Sequence, residues 1–497
     1  MSVTSVSQGA GGRRAFVLAI FLVLASVLWL RAFKLQILDS VFYQKQGDAR
    51  QIRTLPLAAH RGMLTDRNGE MLAVSSPIAT IWADPSILAE HDDKIDLLGY
   101  ALEMDPGRIR NMVERGVEKS REYIYLRRHV HPRIEKALQS IKDRGQIQGV
   151  NIEREYGRYY PSGEITAHVL GFNDIDDRGQ EGLEMAFDDW LRGTPGKRRV
   201  VTDVLGDAIE DIELISEDQP GNDLTLSIDK RIQYLAYREL KQAVQRNGAK
   251  SGSAVVLDTR TGEVLAMVNQ PSYNPNRFSE RVGGAKRNRA VTDVLEPGST
   301  IKPFTVAAAL ESELFLRDDV IDTAPGRFNV GRYVVRDYKN YGELSLVGVL
   351  KNSSNVGASK ISLQLDREVL WNTFDRLGFG QPPLIEFPGA VAGSLPHYSS
   401  WSVVRQATVS YGYGVSTTVL QLARAYAALA ADGLMPEVTF QKLEGEPRTS
   451  RVFSPDVARD VRRMLESVVS EGTGKACLLY TSPSPRDLST SRMPSSA

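Results

Sequence analysis

Cysteine is nearly absent: Cys477 is the single one in 497 residues. An intrachain disulfide is therefore excluded, and so is a zinc site built on cysteine. Histidine is scarce as well, with six and no HExxH pair. His129 and His131 alternate as on a strand rather than as helical ligands, so no metal is expected. Neither sign of charge prevails, because Lys+Arg and Asp+Glu are balanced at 61 each. No net field would gather nucleic acid or an acidic surface, and no nucleic-acid partner is expected. The GTGK at 472–475 lacks the upstream glycine of a phosphate-binding loop, and no cofactor is expected. No repeat of solenoid period occurs.

Long apolar runs are missing too, with one exception. After MSVTSVSQGAGGRR comes AFVLAIFLVLASVLWL, followed by Arg31 and Lys34. A membrane-crossing helix needs about 20 residues. Ala15 to Leu35 supplies them, the two basic side chains snorkelling to the interface. A cleaved signal peptide begins the same way, but no A-x-A site follows, so an uncleaved anchor at 15–35 is expected. Arg13 and Arg14 place a tail at 1–14 in the cytoplasm. The rest lies outside the membrane, beginning with a polar, helical stalk at 36–55.

A chain that is 42% hydrophobic and 25% charged has material for two or three cores beyond the anchor. In HRGMLTDRNGEMLAVS (60–75), Asn68-Gly69 between apolar segments predicts a hairpin. The charge run at 117–122 reads as a solvated helix face. GTPGK (193–197) reads as a turn, and SEDQPGND (216–223) as a domain boundary. A strand and amphipathic helix are predicted over 224–244, a hairpin of buried strands over 253–268, and a buried helix over 417–430. The serine- and proline-rich CLLYTSPSPRDLSTSRMPSSA (477–497) is foreign in character to what precedes it.

Chemistry enters at EPGSTIKPF (296–304). Residues three apart share a helix face, with Cβ atoms about 5–6 Å apart. Pro303 tolerates only a first turn, so the helix must begin close to Ser299. There the free backbone N–H groups and the helix dipole favour developing negative charge. A lysine in a desolvated pocket loses its proton near neutral pH and activates a hydroxyl, so Ser299 and Lys302 have the spacing of a nucleophile and its base. Ser-x-x-Lys alone is weak, since a chain of this size holds one or two by chance. KNSSNVG (351–357) adds Ser353 and Asn355 on a polar loop before a helical stretch. By itself that loop is a helix cap. Beside a Ser-Lys pair, its hydroxyl can pass a proton to a leaving amine and its amide can hold a peptide bond.

SxxK followed by SxN is the pattern of penicillin-binding proteins and serine β-lactamases. RGMLTDRNGEMLA (61–73), RYYPSGEITAHVLGF (158–172), GLEMAFDDWLRGTPG (182–196) and SIDKRIQ (227–233) resemble the non-catalytic module of class B penicillin-binding proteins. TDVLEPGSTIKPF (292–304), KNSSNVGASKI (351–361) and SYGYGVSTTVLQLARAYAALA (410–430) are similar to the cell-division transpeptidase domain of Gram-negative bacteria.

The resemblance implies an α/β (α+β) fold: anchor, mixed pedestal domain at 56–220, and a transpeptidase domain at 222–475 with an antiparallel sheet flanked by helices. It implies that Ser299 attacks the penultimate D-alanine carbonyl of a peptidoglycan stem pentapeptide with Lys302 as base, and that Ser353 and Asn355 relay the proton and orient the donor. Tyr411 and Tyr413 would sit near the site, although core packing around a glycine turn explains them equally. β-Lactam antibiotics would acylate the same serine, and a membrane glycan polymerase and other division proteins would be partners of a single-pass inner-membrane protein with a periplasmic catalytic domain. The family's third motif, K-[ST]-G, does not occur after Asn355. Lys250-Ser251-Gly252 precedes the first sheet strand and reads as an ordinary turn. A domain missing three of its five strands is therefore expected, with 476–497 a foreign tail. An elongation-specific relative, a penicillin-sensing receptor and an inactive division scaffold are the alternatives. Arg277, Arg281, Lys286, Arg287 and Arg289 read as a solvated surface loop.

Overall fold

In this computed structural model the described residues are 8–39, 52–121, 123–202, 208–281, 283–383 and 385–475. The tail at 476–497, with Cys477, lies outside them, as does most of the stalk. A helix over Gln8–Phe33 continues into one π-helical turn, Lys34–Leu38. Within it Ala15–Leu38, of mean hydropathy 2.4, has the length and apolarity to cross a membrane. The stalk reading fails at its far end. Ile52–Leu57 is a strand paired antiparallel to Gly196–Thr202, because extended backbone there finds a partner to complete its hydrogen bonds.

The chain divides into two compact units. The first comprises 1–59, 77–156 and 194–220. One of its sheets has Gly196–Thr202 between Ile52–Leu57 and Ala208–Ser216, so GTPGK opens a strand instead of making only a turn. Its core gathers Ile81, Leu88, Leu98, Ile109, Val113 and Leu138. The helix Pro106–Glu118 is started by Asp105, whose carboxylate accepts from Arg108 N, with proline in the first turn. It ends inside the 117–122 charge run, since Ser120 takes a left-handed φ of 48°. His131 is not on a strand with His129; its ring caps the helix Pro132–Asp143.

The second unit comprises 60–76, 157–193 and 221 onward. Its first two segments fall within the expected pedestal, yet they cluster with the transpeptidase residues. The Asn-Gly hairpin forms as predicted, Leu64–Thr65 against Met71–Ala83, and Leu64–Thr65 also pairs in parallel with Leu224–Thr225. Arg61, fully buried, donates to Glu184 at 2.9 Å and Asp188 at 2.8 Å, and Arg158 donates to the other oxygen of Glu184 at 2.6 Å. Buried charges persist where they are paired and hydrogen-bonded like this. The predicted hairpin is Gly252–Leu257 against Val264–Gln270, and the helix Lys230–Arg246 packs on it. Among the described residues that sheet has these two strands.

The loop at 277–289 is not simply solvated. Arg281 lies over the rings of Phe278 and Phe172, at 3.9 and 5.0 Å, and donates to Asn173 O at 2.7 Å. Guanidinium planes pack on aromatic faces, which a charge count along the sequence does not reveal. Burial holds its pKa below the ordinary arginine value.

The largest core surrounds the helix Lys302–Glu311, buried from Lys302 through Ala309. Ile301, Phe304, Val306 and Ala308 meet Leu346, Ile361, Phe374, Phe379, Val461 and Met464. The buried helix predicted over 417–430 is Val419–Ala430, opened by a reciprocal cap between Thr418 and Gln421.

Candidate active site

The Ser-x-x-Lys segment begins with a 3-10 turn, Gly298–Ile301, that leads into the helix at Lys302 with Pro303 in its first turn. Ser299 is exposed at this turn, while Lys302 is 1% exposed. The turn is fastened to residues 410–417 at four points. Leu295 and Thr417 exchange two backbone bonds of 2.9 Å, Gly298 N donates to Gly412 O at 3.2 Å, and Gly414 N donates to Glu296 Oε1 at 2.9 Å. Thr305 Oγ1 donates to Ser410 O at 2.8 Å. Gly412, at φ +91°, lies so close that a Cβ there would be 2.1 Å from Gly298 O.

The SxN segment meets the lysine directly. Lys302 Nζ lies 2.6 Å from Ser353 O and 3.0 Å from Ser353 Oγ. Ser353 adopts a φ of +53° and the next residue, Ser354, caps the helix Asn355–Gln364 by accepting from Gly357 N. The cap expected of this polar loop is thus Ser354, leaving the Ser353 hydroxyl for the lysine. Burial, the largest influence, pulls Lys302 from 10.5 down to about 8, against the opposing pull of the Asp337 carboxylate. A lysine so placed is uncharged in roughly a tenth of molecules at pH 7, far more than an ordinary lysine, and can accept a proton.

Asn355 is half-buried, its Nδ2 donating to Arg336 O at 3.2 Å. Tyr411 is buried against Val335, Val356 and Ala407, so core packing accounts for it. Tyr413 is 52% exposed and meets Tyr411 edge-on at 5.7 Å. The structure thus joins Lys302 to Ser353, and brings the tyrosine loop against the Ser299 turn through Gly412. A cavity of about 420 Å³ lined by Asp375, Arg376, Arg424 and Glu437 contains none of these residues. Asp337 escaped the sequence reading. It lies in an upstream loop with no motif spacing to Ser353, and its proximity arises only when the strand Tyr333–Arg336 folds back.

The description "Penicillin binding protein transpeptidase domain" matches residues 252–483, and "Penicillin-binding Protein dimerisation domain" matches residues 56–226. The chain is 41% identical over 464 residues to the peptidoglycan D,D-transpeptidase FtsI of Escherichia coli (strain K12), covering 92% of this chain and 76% of that one. It belongs to the class B penicillin-binding proteins. This penicillin-binding protein is also 39% identical over 472 residues to the probable peptidoglycan D,D-transpeptidase PenA of Neisseria meningitidis, covering 94% of this chain and 80% of that one. Among solved structures it resembles penicillin binding protein 3 of Mycobacterium tuberculosis complexed with aztreonam. That likeness has a TM-score of 0.62 and 27% identity, over 85% of this chain and 79% of that one.

Proposed function

We propose that this penicillin-binding protein is a peptidoglycan D,D-transpeptidase of the division septum, acting through an acyl-enzyme on Ser299. The carrying observation is the buried Lys302 amine, drawn toward neutrality and set on Ser353 Oγ one turn from an exposed serine. Ser299 Oγ attacks the penultimate D-alanine carbonyl while Lys302 takes its proton. The tetrahedral oxyanion forms at the start of the helix, where the Ser299 N–H favours it. Its collapse breaks the peptide bond, and D-alanine leaves with a proton passed through Ser353. An amine of a neighbouring stem then attacks the ester, losing a proton to the same pair, and the cross-link forms as Ser299 is restored. Asn355 orients the donor peptide. Tyr413 flanks the donor as an exposed ring.

The FtsI relatives support the septal role over elongation. A membrane glycan polymerase and other division proteins are the partners this role would call for. Arg13 and Arg14 support a cytoplasmic N-terminus and a periplasmic catalytic domain. The domain reading stands as a proposal too: anchor at 15–35, pedestal at 56–220 and transpeptidase at 222–475.

The test is covalent labelling of the membrane-bound chain by a fluorescent penicillin. Label should form on the wild type and be lost in Ser299→Ala. Label that persists in the variant removes Ser299 as nucleophile.

A further inference from the structure

We propose that the cavity between the helix Val419–Ala430 and the strand Thr449–Arg451 is a second binding site, for a short peptide carrying a free carboxylate and a free ammonium group. The inference goes beyond acyl transfer at Ser299 and rests on it only for the choice of peptide in the test. The cavity holds about 420 Å³, within the range of small-molecule sites. Several elements bring charge to its wall. Asp375 and Arg376 end the helix Arg367–Arg376, and Arg424 lies within Val419–Ala430. Arg451 ends its own strand, and Glu437 follows the strand Leu434–Pro436 paired with it.

The three arginines are held by backbone carbonyls. Arg424 Nε donates to Pro436 O at 2.9 Å, and Arg376 Nη2 donates to Arg451 O at 2.8 Å. Arg451 Nη1 donates to the carbonyls of Asp432 and Phe453, each at 3.0 Å. These bonds fix each fork, and among the described residues none of the three forms an ion pair. Arg424 is half-buried, and its Nη1 and Nη2 have no partner among those residues. Taking a guanidinium out of water without a counter-charge is unfavourable, and burial holds the Arg424 pKa below the ordinary arginine value. A carboxylate arriving on the free N–H groups would supply that counter-charge through paired bonds.

Two carboxylates on the same wall narrow the ligand further. Asp375 accepts from the Gln381 amide at 2.7 Å, and Glu437 meets the exposed Arg448 only at 3.9 Å. Glu437 also acts on Arg424 through space, raising its proton affinity. A polyanion would be repelled by these carboxylates, whereas an ammonium group would be attracted to them. One peptide with both termini free satisfies both signs of charge.

The cavity is separate from the acyl-transfer centre. Successive helix residues turn by about 100°, so Arg424 and Tyr426 point in nearly opposite directions. Tyr426 Oη donates to Thr300 O at 2.7 Å, on the turn that carries Ser299, while Arg424 lines the cavity. Penicillin on Ser299 would therefore leave the cavity open.

The experiment titrates D-alanyl-D-alanine into the full chain in detergent, after acylation of Ser299 by penicillin, and follows binding by calorimetry. Saturable binding is expected. Arg424→Gln should weaken it about 10- to 100-fold, the range for a lost charge-assisted bond, and Arg376→Gln by a smaller factor. Arg376 is exposed, so its variant reports on the site even where Arg424→Gln does not fold. Both variants should keep wild-type penicillin labelling. D-Alanyl-D-alanine amide, without the carboxylate, should bind about 10-fold more weakly or worse. Glu437→Gln should weaken the dipeptide and strengthen inorganic phosphate. Absence of saturable binding, wild-type affinity in both arginine variants, or phosphate bound as tightly as the dipeptide by the wild type overturns the proposal. If penicillin does not label the wild type, the reading of Ser299 fails, and the same titration of unlabelled protein decides for the cavity: binding lost with the arginines sustains it, and binding indifferent to them removes it.

Discussion

A lysine 1% exposed, touching hydroxyl and carbonyl oxygens and no carboxylate, destabilises the fold around it. One pKa unit corresponds to about 1.4 kcal/mol, so a fall from 10.5 to about 8 amounts to roughly 3 kcal/mol. The unfolded chain keeps the proton up to about 10.5, whereas the folded chain releases it above about 8. Between those values the unfolded state holds more protons, so stability rises with pH across that window. Lys302→Met should remove this rise, and at pH 7 should stabilise the protein by about 1–2 kcal/mol after the lost bonds to Ser353 are counted. It should also abolish penicillin labelling. Denaturant midpoints at several pH values check this, and a destabilised variant would show that the amine is not held at a disadvantage. Ser299, Lys302, Ser353 and Asn355 were legible because their spacings are short and their chemistry is specific. Asp337 was not, since a lone aspartate in a loop has no local pattern, and Tyr411 was ambiguous because it packs in a core and also borders the site.

At the scale of elements, the turn that carries Ser299 keeps its shape through contacts with residues 410–417. Gly412→Ala tests this directly. Its φ of +91° strains any side chain, and the new Cβ would overlap Gly298. A destabilisation of about 2–4 kcal/mol is expected, with slower acylation by penicillin in the fraction that remains folded; thermal midpoints and labelling rates would show it, and unaltered values would mean the turn does not rely on this approach. Helices with a polar cap and a regular apolar stripe, such as Lys230–Arg246 and Val419–Ala430, could be read from sequence. The strands Ile52–Leu57 and Gly196–Thr202 could not. Their pairing joins residues far apart in the chain, and Pro56 and Pro195 point locally to turns.

At the scale of the whole molecule, sequence order and compactness divide the chain differently. The expected pedestal ran unbroken from 56 to 220, yet 60–76 and 157–193 cluster with the residues from 221 onward, sharing both a buried apolar core and buried charges. Glu184 is the tie, fully buried and bonded to Arg61 and Arg158. Glu184→Ala would leave two cations without their shared partner and should destabilise this unit by about 3–5 kcal/mol. Calorimetry would register the loss, and an unchanged transition would show that Asp188 and backbone carbonyls suffice. The same ion pair has a consequence for the order in which the polypeptide is made. Arg61 emerges from the ribosome 123 residues before Glu184. Until then its guanidinium lacks the carboxylate that pairs it in the folded unit. Closing so long a loop is slow. The nascent chain therefore carries an arginine without its carboxylate for about a quarter of its synthesis, and the second unit settles only after the 77–156 stretch between its first two pieces has been completed.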